Sequence, residues 1–369
     1  MKNLLYLSPV PYKSFAQRPH KFVNWFHQRY GGRVVWIDPY ATRFPVLADL
    51  RRLVRQSDEI HTSDLTPEWL TVICPDGLPI EPMPGAGYLN SRLWRSAFTE
   101  AISLAKQNDC VTVIGKPSVL AIKIMKALRG CRLIYDAMDD FPAFYQGFSR
   151  TAMKNTEIKI ASLVDVIWVS STTLYERWSS QQSNVRLLYN GLDFDIISSA
   201  EPQAEPSDRT IFGYLGTIGN WFDWEMITAL ARVVPHDLIR IHGPIYKKPS
   251  GKLPSNIELF PPSEHAEAIT QMTHFDVGLI PFLKNELTGS VDPIKYYEYR
   301  AFGIPVLSSY FGEMRYRGRN EGVYVVHDLA ELEKVVAEAR NNIQARRLDQ
   351  MFAQENSWAA RFDQIIEDF

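Results

Sequence analysis

Short apolar runs rich in β-branched residues recur along the whole chain, and most are followed by a polar turn and then a stretch with helical spacing. The first cycle shows the pattern. Asn3–Leu7 stops at Ser8-Pro9, a helix beginning near Pro19 carries Phe22, Trp25, Phe26 and Tyr30, Gly31-Gly32 ends it, and Arg33–Ile37 is the next run. A β-loop-α-β order requires parallel strands joined by crossover helices, which is the doubly wound α/β sheet. Runs at 70–74, 111–115, 132–135, 164–169 and 185–188 continue a first set; runs at 211–215, 238–242, 257–260, 277–282, 306–308 and 323–326 form a second. Between the sets, residues 196–209 are polar with Pro202 and Pro206, the composition of a linker. At 369 residues the chain exceeds one ordinary core. The predicted organisation is a domain over 1–195, the linker 196–209, a second domain over 210–345, and a closing helix over 346–369.

The densest stretch is 291–309, VDPIKYYEYRAFGIPVLSS. Asp292-Pro293 predicts a helix start in which the carboxylate accepts orphan N–H groups; Gly303 supplies the stop, and the apolar run after it predicts a buried strand. Lys295, Glu298, Tyr299 and Phe302 stand at i, i+3, i+4 and i+7, so one side of the helix carries a cation, a carboxylate and two rings. A cation near a helix N-terminus, preceded by the small-residue loop Thr288-Gly289-Ser290, makes an anion site. A carboxylate one turn deeper suits a sugar diol attached to a phosphate. The pattern therefore points to a nucleoside diphosphate, with Lys295 on phosphate and Glu298 on ribose; the alternative is an ordinary solvated ion pair.

The pattern P-x-K-x-x-E-Y-x-A-x-G-x-P-V at 293–306 resembles the donor-binding segment of GT-B glycosyltransferases, especially the bacterial family 4-like enzymes of polysaccharide assembly. The resemblance implies two Rossmann-like domains facing a central cleft, acceptor side in the first and nucleotide sugar in the second, with a C-terminal helix returning to the N-terminal domain. It also implies that Glu298 binds the ribose and that Lys295, with Tyr296 beside it, sits by the diphosphate. Many retaining members carry a first glutamate eight residues before the second; this chain has Ser290 there.

Two further motifs enter on the same reading. Gly213, Gly216 and Gly219 are spaced G-x-x-G-x-x-G, which misses the dinucleotide fingerprint and argues against an NAD enzyme. Similar GT-B enzymes place such a loop over the donor phosphates, which selects Gly216, Thr217 and Gly219, and the run ending at His242-Gly243 delivers those two residues toward the same edge. In the first domain the run at 132–135 delivers Asp136, Asp139 and Asp140. Three carboxylates so close repel one another, and one of them should have a raised pKa, as a general base deprotonating a sugar hydroxyl needs. Alternatively the cluster caps a helix or sits in water. The segment YDAMDDFPAF resembles the one carrying the catalytic aspartate of a xanthan glucuronosyltransferase, which implies Asp139 in that role with Asp140 beside it. Arg18 and His20, in or after the first loop, join Asp136 as acceptor candidates.

Composition narrows the alternatives. Residues 1–200 carry a net +5 and the remainder −7. The basic half, with Arg51, Arg52, Arg55 and Lys123, Lys126, Arg129, Arg132, could attract an anionic acceptor or leaflet, and Tyr88, Leu89, Arg92, Trp94 and Arg95 could form an interfacial surface. No nucleic-acid motif accompanies the charge. Cys74, Cys110 and Cys131 lack metal-ligand spacing and fit a reducing compartment. No apolar stretch is long enough to span a bilayer, so localisation is expected to be cytoplasmic, with peripheral membrane contact at most. The expected activity is transfer of a hexose or uronic acid from a nucleotide-diphosphate sugar, UDP foremost, to a saccharide or lipid-linked saccharide, with no metal and no cofactor and with inversion before retention. A sugar-nucleotide epimerase and a non-catalytic subunit of a polysaccharide-assembly complex are the alternatives.

Overall fold

The computed structural model describes residues 1–42, 44, 66–83, 85–106, 109–201, 208–345 and 347–369. These fall into two compact units, residues 1–188 with 362–369 and residues 189–361. Arg51, Arg52 and Arg55, and residues 202–207 of the expected linker, lie outside the described residues.

The first unit is built on seven strands, β1 (Lys2–Leu7), β2 (Gly31–Ile37), β3 (Leu70–Ile73), β4 (Cys110–Ile114), β5 (Leu133–Ala137), β6 (Val166–Val169) and β7 (Val185–Leu187). Their order is β3-β2-β1-β4-β5-β6-β7, and every pairing is parallel. Strands covered on both faces must be apolar nearly throughout, and β4, β5 and β6 are buried at every position. The first helix, Arg18–Tyr30, has proline in its first turn and ends at Gly31, whose φ of 64° is left-handed and whose N–H bonds the His27 carbonyl. Two helices, Ala86–Leu93 and Arg95–Lys106, precede β4. Asn90 is held by bonds to the Leu78 N–H and carbonyl, and Trp94 at the junction is buried, so both face inward and the axis breaks between them.

The second unit has six parallel strands, β8 (Ile211–Leu215), β9 (Leu238–His242), β10 (Ile257–Phe260), β11 (Val277–Ile280), β12 (Val306–Ser309) and β13 (Val323–Val326). Their order is β10-β9-β8-β11-β12-β13. In both sheets the order reverses beside the first strand, the place where doubly wound folds open a ligand crevice beyond the strand C-termini.

The boundaries differ from expectation at two places. The chain enters the second unit at Tyr189, and Phe194–Ser199, expected to be partly linker, is a helix whose Ile197 is fully buried in that unit's core. The closing segment is two short helices, Gln350–Glu355 and Trp358–Asp363, followed by a 3-10 turn, Ile366–Asp368. Between the helices the backbone turns aside to bond Leu192, whose N–H reaches the Asn356 carbonyl at 2.9 Å and whose carbonyl receives the Trp358 N–H at 3.0 Å. From Phe362 onward the chain belongs to the first unit. There Phe362 and Phe369 pack on Phe22 and Trp25, and the buried Asp368 accepts from Trp168 Nε1 at 2.7 Å and pairs with Arg186 at 2.9 Å. Among the described residues no helix is long and apolar enough to cross a membrane.

Candidate functional site

The second unit assembles most of the expected donor residues around one ammonium. Gly216 follows β8, Gly243 follows β9, and the Gly216 N–H bonds the His242 carbonyl at 2.8 Å. Both glycines have φ of +136°, and a Cβ on Gly243 would lie 2.2 Å from the Gly216 carbonyl oxygen, so side chains are excluded at this contact. The turn after Gly216 is fixed by Tyr214, whose hydroxyl donates to the Thr217 carbonyl at 2.9 Å, while Gly219 packs against the Trp221 ring.

Lys295 projects from the helix Ile294–Ala301 against Gly216: a Cβ there would meet its Nζ at 2.7 Å. The half-buried ammonium lies 5.1 Å from the Tyr214 ring centre and 5.7 Å from that of Phe282, and no hydrogen bond or salt bridge satisfies it among the described residues. Burial pulls its pKa down, with Glu298 acting in the opposite direction. Rings on one side and a glycine backbone on the other leave the cation in want of an anion. Glu298, one turn on and buried, meets His265 Nε2 through Oε1 at 3.1 Å. Tyr299 and Phe302 are fully buried in the core; the Tyr299 hydroxyl lies 3.3 Å from both the Leu215 N–H and the Gly213 carbonyl, which fixes the helix against the end of β8.

The helix is anchored differently from the sequence expectation. Its N-cap is Pro293 and no side chain caps it. The Asp292 carboxylate instead accepts from the Asn190 N–H at 2.8 Å, the Tyr297 hydroxyl at 2.9 Å and Arg317 at 3.2 Å, so it secures the base of the helix from below. Tyr296, expected by the diphosphate, is buried with Arg317 stacked 3.7 Å over its ring. That face of the helix is packing. His242 stacks on Phe260 at 4.3 Å and 9°, and its buried Nε2 has no hydrogen-bond partner among the described residues. Burial lowers its pKa to about 4, with Arg240 adding to the shift, so the ring is neutral at ordinary pH. Ser290 Oγ is likewise buried and without a hydrogen-bond partner among the described residues.

In the first unit the three aspartates after β5 have three different surroundings. Asp136 is buried and takes Arg18 in a two-pronged contact, Nη2 to Oδ1 at 2.8 Å and Nε to both oxygens at 3.2 Å, while Arg18 Nη1 holds the Leu188 carbonyl at 2.9 Å. Asp140 is bound by Arg177 at 2.7 Å, and the same guanidinium grips the fully buried Glu157. Asp139 is half-buried and its carboxylate has no hydrogen-bond or salt-bridge partner among the described residues. Burial raises its pKa to about 7, Arg18 opposing and Asp136 and Asp140 adding to the rise. An unbonded carboxylate that titrates near neutrality is a fitting proton acceptor.

These surroundings reassign four of the expected residues. Arg18 and Asp136, expected on the acceptor, form a buried ion pair with each other. His20 accepts from the Gln17 N–H at 3.2 Å through Nδ1 and meets the Tyr12 carbonyl at 2.9 Å through Nε2, which closes the start of the first helix. Burial lowers its pKa, so the neutral ring serves as a cap. Asp140, expected beside Asp139 in the chemistry, is engaged by Arg177. Sequence reasoning did not select Arg177, Arg317 or His265. Each acts across many residues of sequence, and no local spacing marks it.

No family model matches the chain. A relative from Bacillus subtilis (strain 168), which carries the provisional name teichuronic acid biosynthesis glycosyltransferase TuaH, is 22% identical over 264 residues, covering 64% of this chain and 66% of the relative. The chain thus spans just under two thirds of that relative's length. Among solved structures, Anabaena Alr3699/HepE in complex with UDP and glucose superposes with a TM-score of 0.65 at 13% identity over 99% of this chain and 98% of that one. The lipopolysaccharide outer core galactosyltransferase WaaB superposes with a TM-score of 0.61 at 10% identity over 100% and 99%. The fold is therefore the two-Rossmann GT-B architecture.

Proposed function

We propose that the chain is a glycosyltransferase of cell-surface polysaccharide synthesis, moving a hexose or uronic acid from a nucleotide-diphosphate sugar to a saccharide or lipid-linked saccharide. The observation that carries the reading is the unpaired Lys295 ammonium seated over the Gly216 backbone at the open end of β8. A diphosphate is the group that both would meet: the ammonium neutralises it, the close glycine backbone admits it, and the uncapped first turn of the Lys295 helix offers N–H groups. Glu298 retains Oε2 for a ribose diol. UDP is taken before GDP because HepE was solved with UDP and glucose.

In the transfer, the bond from the anomeric carbon to the diphosphate oxygen breaks, the acceptor oxygen bonds that carbon, and the acceptor proton passes to Asp139. Charge developing on the leaving diphosphate is met by Lys295 and the helix N-terminus, a role for which no metal is invoked. A general base of this kind suits inversion, and Ser290 in place of a first glutamate agrees. A peripheral contact on the inner face of the plasma membrane belongs to the same reading: Tyr88, Leu89 and Leu93 are exposed on a helix that also carries Arg92.

Calorimetry with UDP and GDP on the purified chain tests the donor half. UDP binding that is lost in Lys295→Ala and weakened in Glu298→Ala supports it; no binding of either nucleotide would leave a scaffold subunit as the better account. UDP-sugar converted without any acceptor would point to the epimerase.

A further inference from the structure

The acid turn after β5 is held by more than its own sequence. On one side Arg18, from the first helix, takes Asp136. In the middle Ser170 Oγ donates to the Met138 carbonyl at 2.7 Å. On the other side Arg177, from the helix Thr172–Ser179, bridges Asp140 and Glu157, and Glu157 also accepts the Tyr135 hydroxyl at 2.7 Å. Every carboxylate around the turn is thereby matched to a cation or hydroxyl except Asp139. Arg177 lies over its neighbour Trp178, 4.8 Å from the ring centre.

We propose that Arg177 is a positioning residue for the base: acting through Asp140, it fixes the turn and offsets the negative charge beside Asp139, leaving Asp139 as the one carboxylate able to take up a proton. The inference rests on the reading of Asp139 as base and adds a residue that no sequence motif selects. The charged groups facing Asp139 are Arg18 from the first helix, Asp136 from β5 and Asp140 from its own turn, with Arg177 and Glu157 behind Asp140. Without Arg177, Asp140 would lose its cation and Glu157 would keep only the Tyr135 hydroxyl. Repulsion would then push the proton affinity of Asp139 higher still, or the turn would splay and release it to solvent. With Asn at 140, the Arg177 contact survives through the amide oxygen while the adjacent negative charge disappears.

The test is a carboxyl-carbon NMR titration of the whole chain labelled in aspartate, with the Asp139 signal assigned by its loss in Asp139→Asn. Asp139 is expected to titrate at about 7 in the unaltered protein. In Asp140→Asn the midpoint should fall by roughly half a pH unit or more, and in Arg177→Gln it should shift by a similar amount. Should Arg177→Gln fail to fold, Asp140→Asn decides. An Asp139 midpoint that stays put in both variants overturns the proposal, since a purely architectural arginine would lower the folded yield and leave the titration in place. A midpoint that moves while Asp139→Asn still turns over UDP-glucose overturns the base reading and leaves the charge network standing.

Discussion

The acid turn of the first unit and the glycine cradle of the second reach a similar end by opposite routes. In the turn, several like charges are crowded together and all but one are matched with partners. In the cradle, a single cation is set among rings and glycine backbone with no matching anion. Burial acts on both survivors, raising the proton affinity of Asp139 and lowering that of Lys295. The carboxylate is thereby brought near the pH at which it can exchange a proton, whereas the ammonium, set among rings and backbone, calls for a counter-ion. Charge left unmatched in a well-packed setting marks both places, and the sign and surroundings tell what each would take.

Changes at the two places should therefore separate cleanly. The largest expected effect is in Asp139→Asn, where transfer should fall by roughly 10³-fold, within the range of lost general-base catalysis, while UDP affinity by calorimetry stays unchanged. Comparable in free energy is Arg18→Leu, which leaves Asp136 buried without its partner and should destabilise the first unit by about 3–5 kcal/mol in urea unfolding. Lys295→Ala should weaken UDP by roughly 10-fold to 100-fold, the range for a lost charged contact of about 1.5–3 kcal/mol, without altering the melting temperature much. A loss of stability equal to that of Arg18→Leu would show that Lys295 is architecture.

The pH dependence sharpens the contrast. A carboxyl whose folded pKa stands above its unfolded value binds more protons when folded, so stability falls as pH rises from about 4 toward about 7 and stays lower above that. Asp139→Asn removes this penalty and should stabilise the protein at pH 8 relative to pH 4, by about 1–2 kcal/mol after discounting for the solvent that reaches a half-buried group. The smallest effect belongs to His20→Ala, where a lost helix-start contact should reduce stability by about 1 kcal/mol and leave nucleotide binding alone.

What the sequence made legible was what short spacing can encode. Ile211–Leu215, Leu238–His242, Ile257–Phe260 and Val323–Val326 are strands with the ends read from the apolar runs, and Gly31 and Asp223 close and open helices as their residue types suggest. The convergence of Lys295, Gly216 and Gly243 follows from strand ends that a parallel sheet brings to one edge. Long-range pairing was not legible. Arg18 meets Asp136 across 118 positions and Asn190 meets Asp292 across 102, and no period or punctuation announces either. Arg18 and His20 looked available because a loop near strand ends is a common place for ligand contacts; burial and prior partners decided otherwise. The carboxylate of Asp292 looked like a cap because Asp-Pro is a helix-start pair; instead the Asn190 N–H, the Tyr297 hydroxyl and Arg317 claimed it.

The discontinuity of the first unit has a consequence for how the chain matures. Its sheet is complete by residue 188, yet the segment that brings Phe362, Asp368 and Phe369 against the first helix and β6 is made only after the whole second unit. The first unit would therefore emerge from the ribosome with its Trp168 indole and Arg186 guanidinium still awaiting Asp368, and with Phe22 and Trp25 still lacking the rings of Phe362 and Phe369. Until those residues are made, the first helix lacks part of its aromatic packing, so the first unit finishes folding only after the second has been synthesised.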